Sequence, residues 1–574
     1  MIKKTFHLLN FNQKVKSVII LLLIFISMLF EMLSIGLVIP AIQFFVNPET
    51  FYKNLPKLIL FFDYKNSPNL LMLMGLFLIF SIFMLKSVYQ IFFSWFLTKF
   101  IANLELFFSN NLFRVYLSKE WKFFLNRNSS ELISNVTNEV ALFVGLVQSF
   151  LTIMSEFFII LGIFIILIYV EPIAVISVTS VLIILVSLYY FFSKKFLFRW
   201  GQYRQKHASL RIKDLQQGFG GIKDINITGR KNFFFTNFFY NNNLYTNSNR
   251  LNSFITHIPR IWLELFAVIG LLVLSLVMIS RNTNPSDMFV ILGLFAVSAF
   301  KFIPSTNRII NSLQNLKFGK PAINKMFEEM SLEENLRYKN QDIKVSFNKS
   351  IKLENVDFKY NSDDEFQIKN INLNLIKGKA YGIIGKSGSG KSTFVDILLG
   401  LLDDYKGKIF VDNKDILKNV RGWQNLIGYV PQSIFLCDDT IKNNIAFGIK
   451  NIDNQKLNNA IKLAQIEDII NISNEGINTM VGERGVRLSG GQIQRIGIAR
   501  ALYHNPKILI LDEATSSLDI KTEKEIMKAV YSLYGNLTLI IIAHRISTLE
   551  KCDKIIRLSN GSIVEETFYS DIKN

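Results

Sequence analysis

The sequence predicts two joined domains, a helical membrane domain of six spans followed by an α/β domain. Half of the 574 residues are hydrophobic, which is too large a share for one soluble protein. Apolar runs long enough to cross a bilayer end near Phe302, and none follows Ser331, where glycines and acidic residues become frequent. We therefore expect the membrane domain over residues 1–330 and the α/β domain over residues 331–574.

Six apolar segments of the first domain are candidate spans, since a membrane helix needs about 20 mostly apolar residues. The segment 172–192 contains no charged residue and is the clearest, whereas 288–303 is the shortest. Only Glu171 separates the third segment from the fourth, which Pro172 begins, so these two are predicted to form a helical hairpin. The six segments lie at about residues 18–46, 70–97, 142–170, 172–192, 260–280 and 288–303.

The net charge of +19 is concentrated beside the predicted spans. Between Ser193 and Arg260 there are twelve lysines and arginines against Asp214 and Asp224. Basic excess next to membrane helices indicates the cytoplasmic side. We therefore expect both termini in the cytoplasm, and the charge gives no reason to predict nucleic acid as a partner.

The second domain contains a phosphate-binding loop between a buried strand and a helix. The strand AYGII, Ala380 to Ile384, runs into GKSGSGKST and then into an apolar helix. This is the G-x-x-x-x-G-K-[ST] pattern in its required context, where backbone N–H groups wrap phosphates. Lys391 is expected to reach the β- and γ-phosphates and Ser392 to hold Mg²⁺. The nucleotide-binding residues are Gly385, Lys386, Ser387, Gly388, Ser389, Gly390, Lys391, Ser392 and Thr393.

A second buried strand, in KILILDE, ends at Asp512 and Glu513. A carboxylate at the end of such a strand anchors Mg²⁺, often through water. The carboxylate that follows it is placed to polarise an attacking water. We predict Asp512 as a metal residue and Glu513 as the catalytic one.

Further motifs resemble those of the ATP-binding-cassette (ABC) ATPases. LSGGQ, which contains Ser489, Gly490, Gly491 and Gln492, resembles their signature. Tyr360 resembles the aromatic residue that stacks on adenine, and Gln432 the glutamine that senses the γ-phosphate and metal. Asp519 resembles the aspartate of the D-loop, and His544 the switch histidine. The order of these motifs, after six spans, is similar to that of the type IV ABC exporters.

The resemblance implies a homodimer that hydrolyses ATP with Mg²⁺ and couples hydrolysis to transport. The chain has one phosphate loop and one LSGGQ, and in this family LSGGQ acts on the nucleotide held by the other cassette. Two chains related by a two-fold axis would therefore form two ATP sites. Ser129 to Val140 and Leu215 to Gly229 resemble the family's intracellular loops, whose short helices dock on cassettes.

Three basic residues lie within or at the ends of predicted spans: Lys86, Arg260 and Lys301. A charge inside a membrane helix costs about 3 kcal/mol or more unless it faces water or a partner. Two interpretations stay open. The cations either pair with Glu31, Glu156 or Glu264 or extend to the inner headgroups. Alternatively, they line a cationic cavity for an anionic headgroup such as a lipid pyrophosphate.

A second resemblance concerns the cargo. His257 to Phe266 (HIPRIWLELF) and Phe300 to Phe318 are similar to segments of bacterial flippases for lipid-linked oligosaccharides, the PglK type. This implies transfer of a polyprenyl-pyrophosphate oligosaccharide to the outer leaflet of the bacterial inner membrane, for protein glycosylation. Lys301 would help hold the pyrophosphate, and Val46 to Asn69, outside the membrane, would contact the lipid tail. The alternative is an exporter of lipid A-like lipids or hydrophobic drugs, which would share every cassette motif.

Overall fold

The computed structural model describes residues 8–37, 68–170, 172–280, 285–332, 345–360, 367–514, 520–543 and 545–572. Three sequence-based predictions fall outside these ranges. They concern Asp519, His544 and nearly all of Val46 to Asn69, and all three remain predictions.

Two compact units divide the chain. The membrane unit comprises Met1–Leu117 and Arg127–Glu334, and the cassette unit comprises Ser118–Asn126 and Asn335–Asn574. The sequence placed a single division between residues 330 and 331. It did not anticipate that the short segment Ser118–Asn126 groups with the cassette unit.

Helices make up the described part of the first 330 residues. Helix α6 begins at Pro172, two residues after α5 ends at Val170, and proline suits the first position of a helix because its missing N–H is not needed there. The helices in chain order are α1 Phe11–Gly36, α2 Pro68–Leu117, α3 Trp121–Leu125 (in the cassette unit), α4 Ser129–Ser134, α5 Val140–Val170, α6 Pro172–Gly220, α7 Ile222–Thr228, α8 Lys231–Ser280, α9 Pro285–Phe318 and α10 Lys320–Met330.

Four helical stretches of the described residues are long and apolar enough to cross a membrane. They overlap the first, second, third and fifth predicted spans: Phe11–Gly36, Gly75–Leu117, Ser129–Tyr169 and Lys231–Ser280. The fourth and sixth predicted spans lie in α6 and α9, which are long helices outside this set of four. The prediction of a helical membrane domain is confirmed, and the number six remains a prediction.

The cassette unit contains two β-sheets. One has four strands in the order β2-β1-β4-β5, all antiparallel: β1 Ser350–Phe358, β2 Ile368–Ile376, β4 Lys406–Val411 and β5 Lys414–Asp415. The other has six strands in the order β10-β9-β3-β8-β7-β6: β3 Ala380–Ile384, β6 Ile427–Val430, β7 Ile508–Asp512, β8 Thr538–Ile542, β9 Lys554–Ser559 and β10 Ser562–Thr567. In the larger sheet β10 is antiparallel to β9, and the other pairs are parallel.

The central strands of the larger sheet are buried along their whole length, as expected for parallel strands covered on both faces. Every residue of β3 (AYGII), β7 (ILILD) and β8 (TLIII) is buried. The carboxyl ends of β3 and β7 carry the phosphate loop and the Asp512-Glu513 pair. The helices of this unit are α11 Lys391–Leu398, α12 Val420–Gln424, α13 Ile441–Ile445, α14 Asn454–Leu463, α15 Glu467–Ile472, α16 Gly490–Leu502, α17 Ile520–Tyr531 and α18 Tyr569–Ile572.

Candidate functional site

The phosphate loop connects β3 to α11, as predicted. Gly388 and Gly390 have φ angles of +79° and +99°, which residues with a side chain rarely adopt. A Cβ on Gly385 would lie 2.5 Å from the carbonyl oxygen of Leu558, so the loop packs too closely there for a larger residue. The Lys391 ammonium lies over the loop and donates to the carbonyl oxygen of Gly385 at 2.8 Å.

The loop has the donors that a nucleotide phosphate chain requires. Lys391 is buried, and its ammonium also donates to the carbonyl oxygen of Lys386 at 3.2 Å, so its charge stays at the mouth of the loop. The Ser389 hydroxyl is buried and makes no hydrogen bond within the described residues. An unpaired buried hydroxyl is costly unless a ligand or water satisfies it. The residues present therefore fit a bound phosphate chain at the N-terminus of α11.

The carboxylates of Asp512 and Glu513 follow the end of β7, which β8 separates from β3 in the sheet. Burial raises the pKa of Asp512, the charge of Glu513 raises it further, and the Lys391 ammonium lowers it. Glu513 has a φ of +50°, a strained backbone that functional residues often adopt. The Gln432 amide nitrogen donates to Glu513 Oε2 at 2.7 Å. The structure thus brings together three residues that were predicted to act on metal and water.

The aromatic residue predicted to stack on adenine also contacts the phosphate loop. The hydroxyl groups of Tyr360 and Thr393 are 3.1 Å apart. The Tyr360 ring lies 5.0 Å from the Phe358 ring in an edge-on arrangement. This fixes the Tyr360 ring beside the start of α11.

The signature residues form the N-terminus of α16. The Ser489 hydroxyl accepts from the Gln492 backbone N–H at 3.3 Å, and the Ser489 backbone N–H donates to Gln492 Oε1 at 2.9 Å. This reciprocal capping box leaves Gly490 and Gly491 as the first helical residues. The LSGGQ residues are therefore held as a rigid turn that ends in a helix N-terminus.

Helix α3 contacts residues near the phosphate loop, which the sequence did not reveal. Lys122 forms an ion pair with Asp404 and lies 6.0 Å from the centre of the Phe358 ring. Trp121 is hydrogen-bonded to the side chain of Asp396 in α11. Burial raises the pKa of Asp396 to about 6, with a further contribution from the Asp512 charge, and the Trp121 hydrogen bond opposes the increase.

The predicted docking segment Ser129 to Val140 begins just after α3. Its first helix, α4, belongs to the membrane unit, whereas α3 belongs to the cassette unit, and docking of residues 129–140 remains a prediction. Three aromatic residues close together in EWKFF (Trp121, Phe123 and Phe124) are the signal in the sequence for this placement of α3. That signal is weak beside the apolar spans.

In the membrane unit, two of the three predicted cations meet at one buried carboxylate. Lys86 Nζ lies 2.7 Å from Glu31 Oε2, and Lys301 Nζ lies 2.9 Å from Glu31 Oε1. Gln90 donates to Glu31 Oε1 at 3.2 Å, and Lys86 also donates to the Ser34 hydroxyl at 2.9 Å. Helices α1, α2 and α9 thus contribute to a single charge cluster, which we call the Glu31 cluster: Glu31, Ser34, Lys86, Gln90 and Lys301.

The third predicted cation lies elsewhere. Arg260 pairs with Glu264 at 2.8 Å, one turn along α8, and both side chains are exposed. Arg308, two turns after Lys301 on α9, contacts Glu156 with a Nε–Oε1 distance of 2.6 Å. All three carboxylates considered in the sequence therefore have basic partners, and the three predicted cargo residues do not form one group.

An apolar cavity lies between α6, α8 and α9. A chamber of about 250 Å³ is lined by Tyr189, Pro259 and Trp262 among others, and it shares Leu263 and Phe266 with a neighbouring chamber of about 90 Å³. The smaller chamber is lined also by residues on the same turns of α9 as Lys301: Ser298, Ala299, Phe302 and Ile303. Such apolar cavities with few polar groups are typical of sites for apolar ligands.

Comparison with known proteins places the chain in a family. The ABC transporter family model matches residues 368–516. An ATP-dependent lipid A-core flippase of Wigglesworthia glossinidia brevipalpis is 31% identical over 554 residues, which is 92% of each chain. A putative export ATP-binding/permease protein of Rickettsia typhi is 43% identical over 206 residues, so the match spans only 36% of either chain.

A solved structure shows the same fold. A bacterial Atm1-family ABC exporter with ATP bound matches with a TM-score of 0.80 and 20% identity, over 98% of this chain and 96% of the other. The similarity to the Wigglesworthia protein extends through both units, so it is not confined to the ATPase motifs. The chain therefore belongs to the ABC transporters, whose members hydrolyse ATP to drive transport, and it has the fold of their exporters.

Proposed function

We propose that the chain is an ATP-driven flippase, which moves a phosphorylated lipid from the cytoplasmic to the outer leaflet of a bacterial inner membrane. The observation that carries this proposal is the Glu31 cluster, where two lysines share one carboxylate among membrane helices. The cluster retains one excess positive charge, which favours an anionic group. The nearby apolar cavity suits the apolar part of such a lipid.

Two phosphorylated lipids are candidates for the cargo. Lipid A-core is favoured by the 31% identity over 92% of the chain to a protein named as its flippase. A polyprenyl-pyrophosphate oligosaccharide is favoured by the resemblance of residues 257–266 and 300–318 to the flippases of lipid-linked oligosaccharides. Both lipids combine phosphate with long apolar chains, so the Glu31 cluster alone does not distinguish them.

The ATP site works by positioning and charge. Lys391 and the loop N–H groups would hold the phosphates, and Tyr360 would stack on the adenine. Ser392, Gln432 and Asp512 would hold Mg²⁺, which neutralises phosphate charge when it is bound. Glu513, oriented by the amide of Gln432, accepts a proton from the attacking water.

The working unit in this proposal is a homodimer of chains with six spans each and both termini in the cytoplasm. Ser489 to Gln492 of one chain would complete the site of the other, with Asp519 and His544 beside it. The segment around α7 supports this arrangement, because Phe219, Ile227 and Phe235 expose most of their apolar surface within the membrane unit. A second copy's cassette would cover that surface.

The test is flipping by the purified protein in liposomes. Fluorescent lipid A-core, a polyprenyl-pyrophosphate oligosaccharide and phosphatidylcholine are compared, each with ATP and with Glu513→Gln as the inactive control. ATP-dependent movement of either phosphorylated lipid, with no movement of phosphatidylcholine, supports the proposal and identifies the cargo. ATP hydrolysis with no movement of either phosphorylated lipid refutes it and favours a hydrophobic drug as the cargo.

Homodimer formation is tested by crosslinking. A cysteine replaces Phe219, and a second cysteine is placed on the cassette surface of a differently tagged chain. Crosslinks between the two tagged chains support the exchange of docking helices. Crosslinks confined to one chain contradict it.

A further inference from the structure

The two lysines that pair with the Glu31 carboxylate differ in how far their side chains are exposed. Its side chain is 2% exposed, and that of Lys86 is 10% exposed, whereas the side chain of Lys301 is 33% exposed. Lys86 has a second acceptor in Ser34, which in turn donates to the backbone oxygen of Glu31 at 2.9 Å. Lys86 is therefore enclosed with the carboxylate, while Lys301 reaches it from an open side.

The charges in the cluster do not balance. Two ammonium groups share one carboxylate, and the remaining neighbours Gln90 and Ser34 are neutral. An uncompensated charge among membrane helices is unfavourable unless water or an anion reaches it. Because Lys301 is the more accessible of the two, an incoming anion would meet Lys301 first.

Polar groups without partners lie on the same side of α9. Ser298 and Ser305 are three residues before and four residues after Lys301, so the three share one face of the helix. Both hydroxyls are buried and make no hydrogen bond within the described part of the chain. Hydroxyls in this state, on the same helix face as a lysine, are suited to donate to phosphate oxygens.

We propose that Glu31 sets the anion affinity of the cargo site, by competing with the headgroup phosphate for Lys301 while it keeps Lys86 neutralised. The proposal rests on the proposed function and adds a specificity-determining residue to it. In the empty site Lys301 is paired with Glu31. When a phosphate binds, Lys301 transfers to the phosphate, and Glu31 retains Lys86. Competition of this kind keeps binding weak enough for the lipid to be released on the other side.

The unusual consequence is that removing a carboxylate strengthens binding. In Glu31→Gln both lysines lack a competitor, so we expect the affinity for a phosphorylated lipid to rise about tenfold. In Lys301→Gln the more accessible ammonium of the Glu31 cluster is lost, and we expect the affinity to fall about tenfold. If Glu31 had only a structural role, Glu31→Gln would lower the affinity or leave it unchanged.

The experiment measures equilibrium binding of dioctanoyl phosphatidic acid and dioctanoyl phosphatidylcholine to the full-length protein in detergent. Glu31→Gln, Glu31→Asp and Lys301→Gln are compared with Glu264→Gln, which removes the carboxylate of the exposed Arg260 pair. Tighter phosphatidic acid binding in Glu31→Gln, with wild-type binding in Glu31→Asp and Glu264→Gln, is the expected result. Weaker or unchanged binding in Glu31→Gln overturns the proposal.

Folding and transport are read out separately. Thermal unfolding shows whether Glu31→Gln is folded. If it is not folded, Glu31→Asp decides the outcome, and a loss of the wild-type affinity in this variant overturns the proposal. Wild-type affinity in Glu31→Asp together with weaker binding in Lys301→Gln supports the proposal. Flipping in liposomes is measured on the same proteins. If the variants change binding as expected but the wild type flips no lipid, only the proposed function is refuted. If the wild type flips the lipid but the variants do not change binding as expected, only the role of Glu31 is refuted. A wild type that binds no phosphatidic acid refutes both.

Discussion

Replacing Glu329 with glutamine should destabilise the membrane unit, because this carboxylate joins three separate parts of it. The Glu329 side chain is 0% exposed. It accepts two hydrogen bonds from Arg127 at 2.8 Å each and one from the Tyr116 hydroxyl at 2.9 Å. Lys325 lies 3.0 Å away and also contacts Glu131 at 2.7 Å. The end of α2, the start of α4 and helix α10 thus meet at one charge.

The size of the effect follows from what the substitution leaves behind. Removing one partner of a buried ion pair costs about 3–5 kcal/mol, because the remaining charge is left uncompensated. Arg127 and Lys325 are 25% and 22% exposed, so water partly compensates them, and Lys325 keeps Glu131. We therefore expect the lower end of that range, about 3 kcal/mol. For a domain of this size that corresponds to a decrease in Tm of about 6 °C.

Thermal unfolding in detergent, at several pH values, measures the effect. Burial by itself raises the pKa of Glu329, but hydrogen bonds from Lys325, Tyr116 and Arg127 outweigh it and hold the pKa below the ordinary value of 4.5. The stability that Glu329 contributes is therefore present above pH 4.5 and is lost as the pH falls through the lower, folded-state pKa. The Tm values of wild type and Glu329→Gln should converge in that acidic range.

The neighbouring residue provides the control. Glu328 is exposed, and its change to glutamine should alter the free energy of unfolding by less than about 0.5 kcal/mol. The reasoning fails if Glu329→Gln unfolds at the same temperature as Glu328→Gln. It also fails if the difference between wild type and Glu329→Gln is the same at pH 4 as at pH 7.

Three further predictions concern the cassette unit. Glu513→Gln should lower the ATPase rate by about 10²–10⁴-fold while nucleotide binding persists, and a variant with more than a tenth of wild-type hydrolysis would rule out Glu513 as the base. Gly385→Ala should abolish nucleotide binding, because its Cβ would lie 2.5 Å from the Leu558 oxygen. The Cβ of Gly388→Ala meets no atom within 4 Å, so this variant should bind nucleotide more weakly without losing binding, and equal affinities of the two variants in a titration would contradict this. Trp121→Phe keeps an aromatic ring but removes the donor to Asp396, so the amount of lipid flipped per ATP hydrolysed should fall at least twofold. An unchanged ratio would show that this contact of α3 does not couple ATP hydrolysis to flipping.

The residues of the ATP site are predicted from the sequence alone. The phosphate loop, the Asp512-Glu513 pair and LSGGQ are each continuous in the chain, and their backbone conformation follows from local glycines, strands and helix starts. The structure added how these groups are held, such as the 2.7 Å contact of Gln432 with Glu513. The apolar character of the first half was equally readable, since a membrane span is a property of one continuous segment.

Which charged residues form pairs depends on how the helices pack in three dimensions. The sequence left three basic residues with three possible acidic partners, and the packing of α1, α2 and α9 assigned Lys86 and Lys301 to Glu31 while Arg260 remained with Glu264. Lys86 is 55 residues from Glu31 in the chain, and Tyr116 is 213 residues from Glu329. Pairs this far apart leave no local pattern, because their geometry depends on how whole helices pack. The sequence motifs therefore predict the ATP site, whereas the packing of the helices forms the Glu31 cluster from which the cargo is inferred.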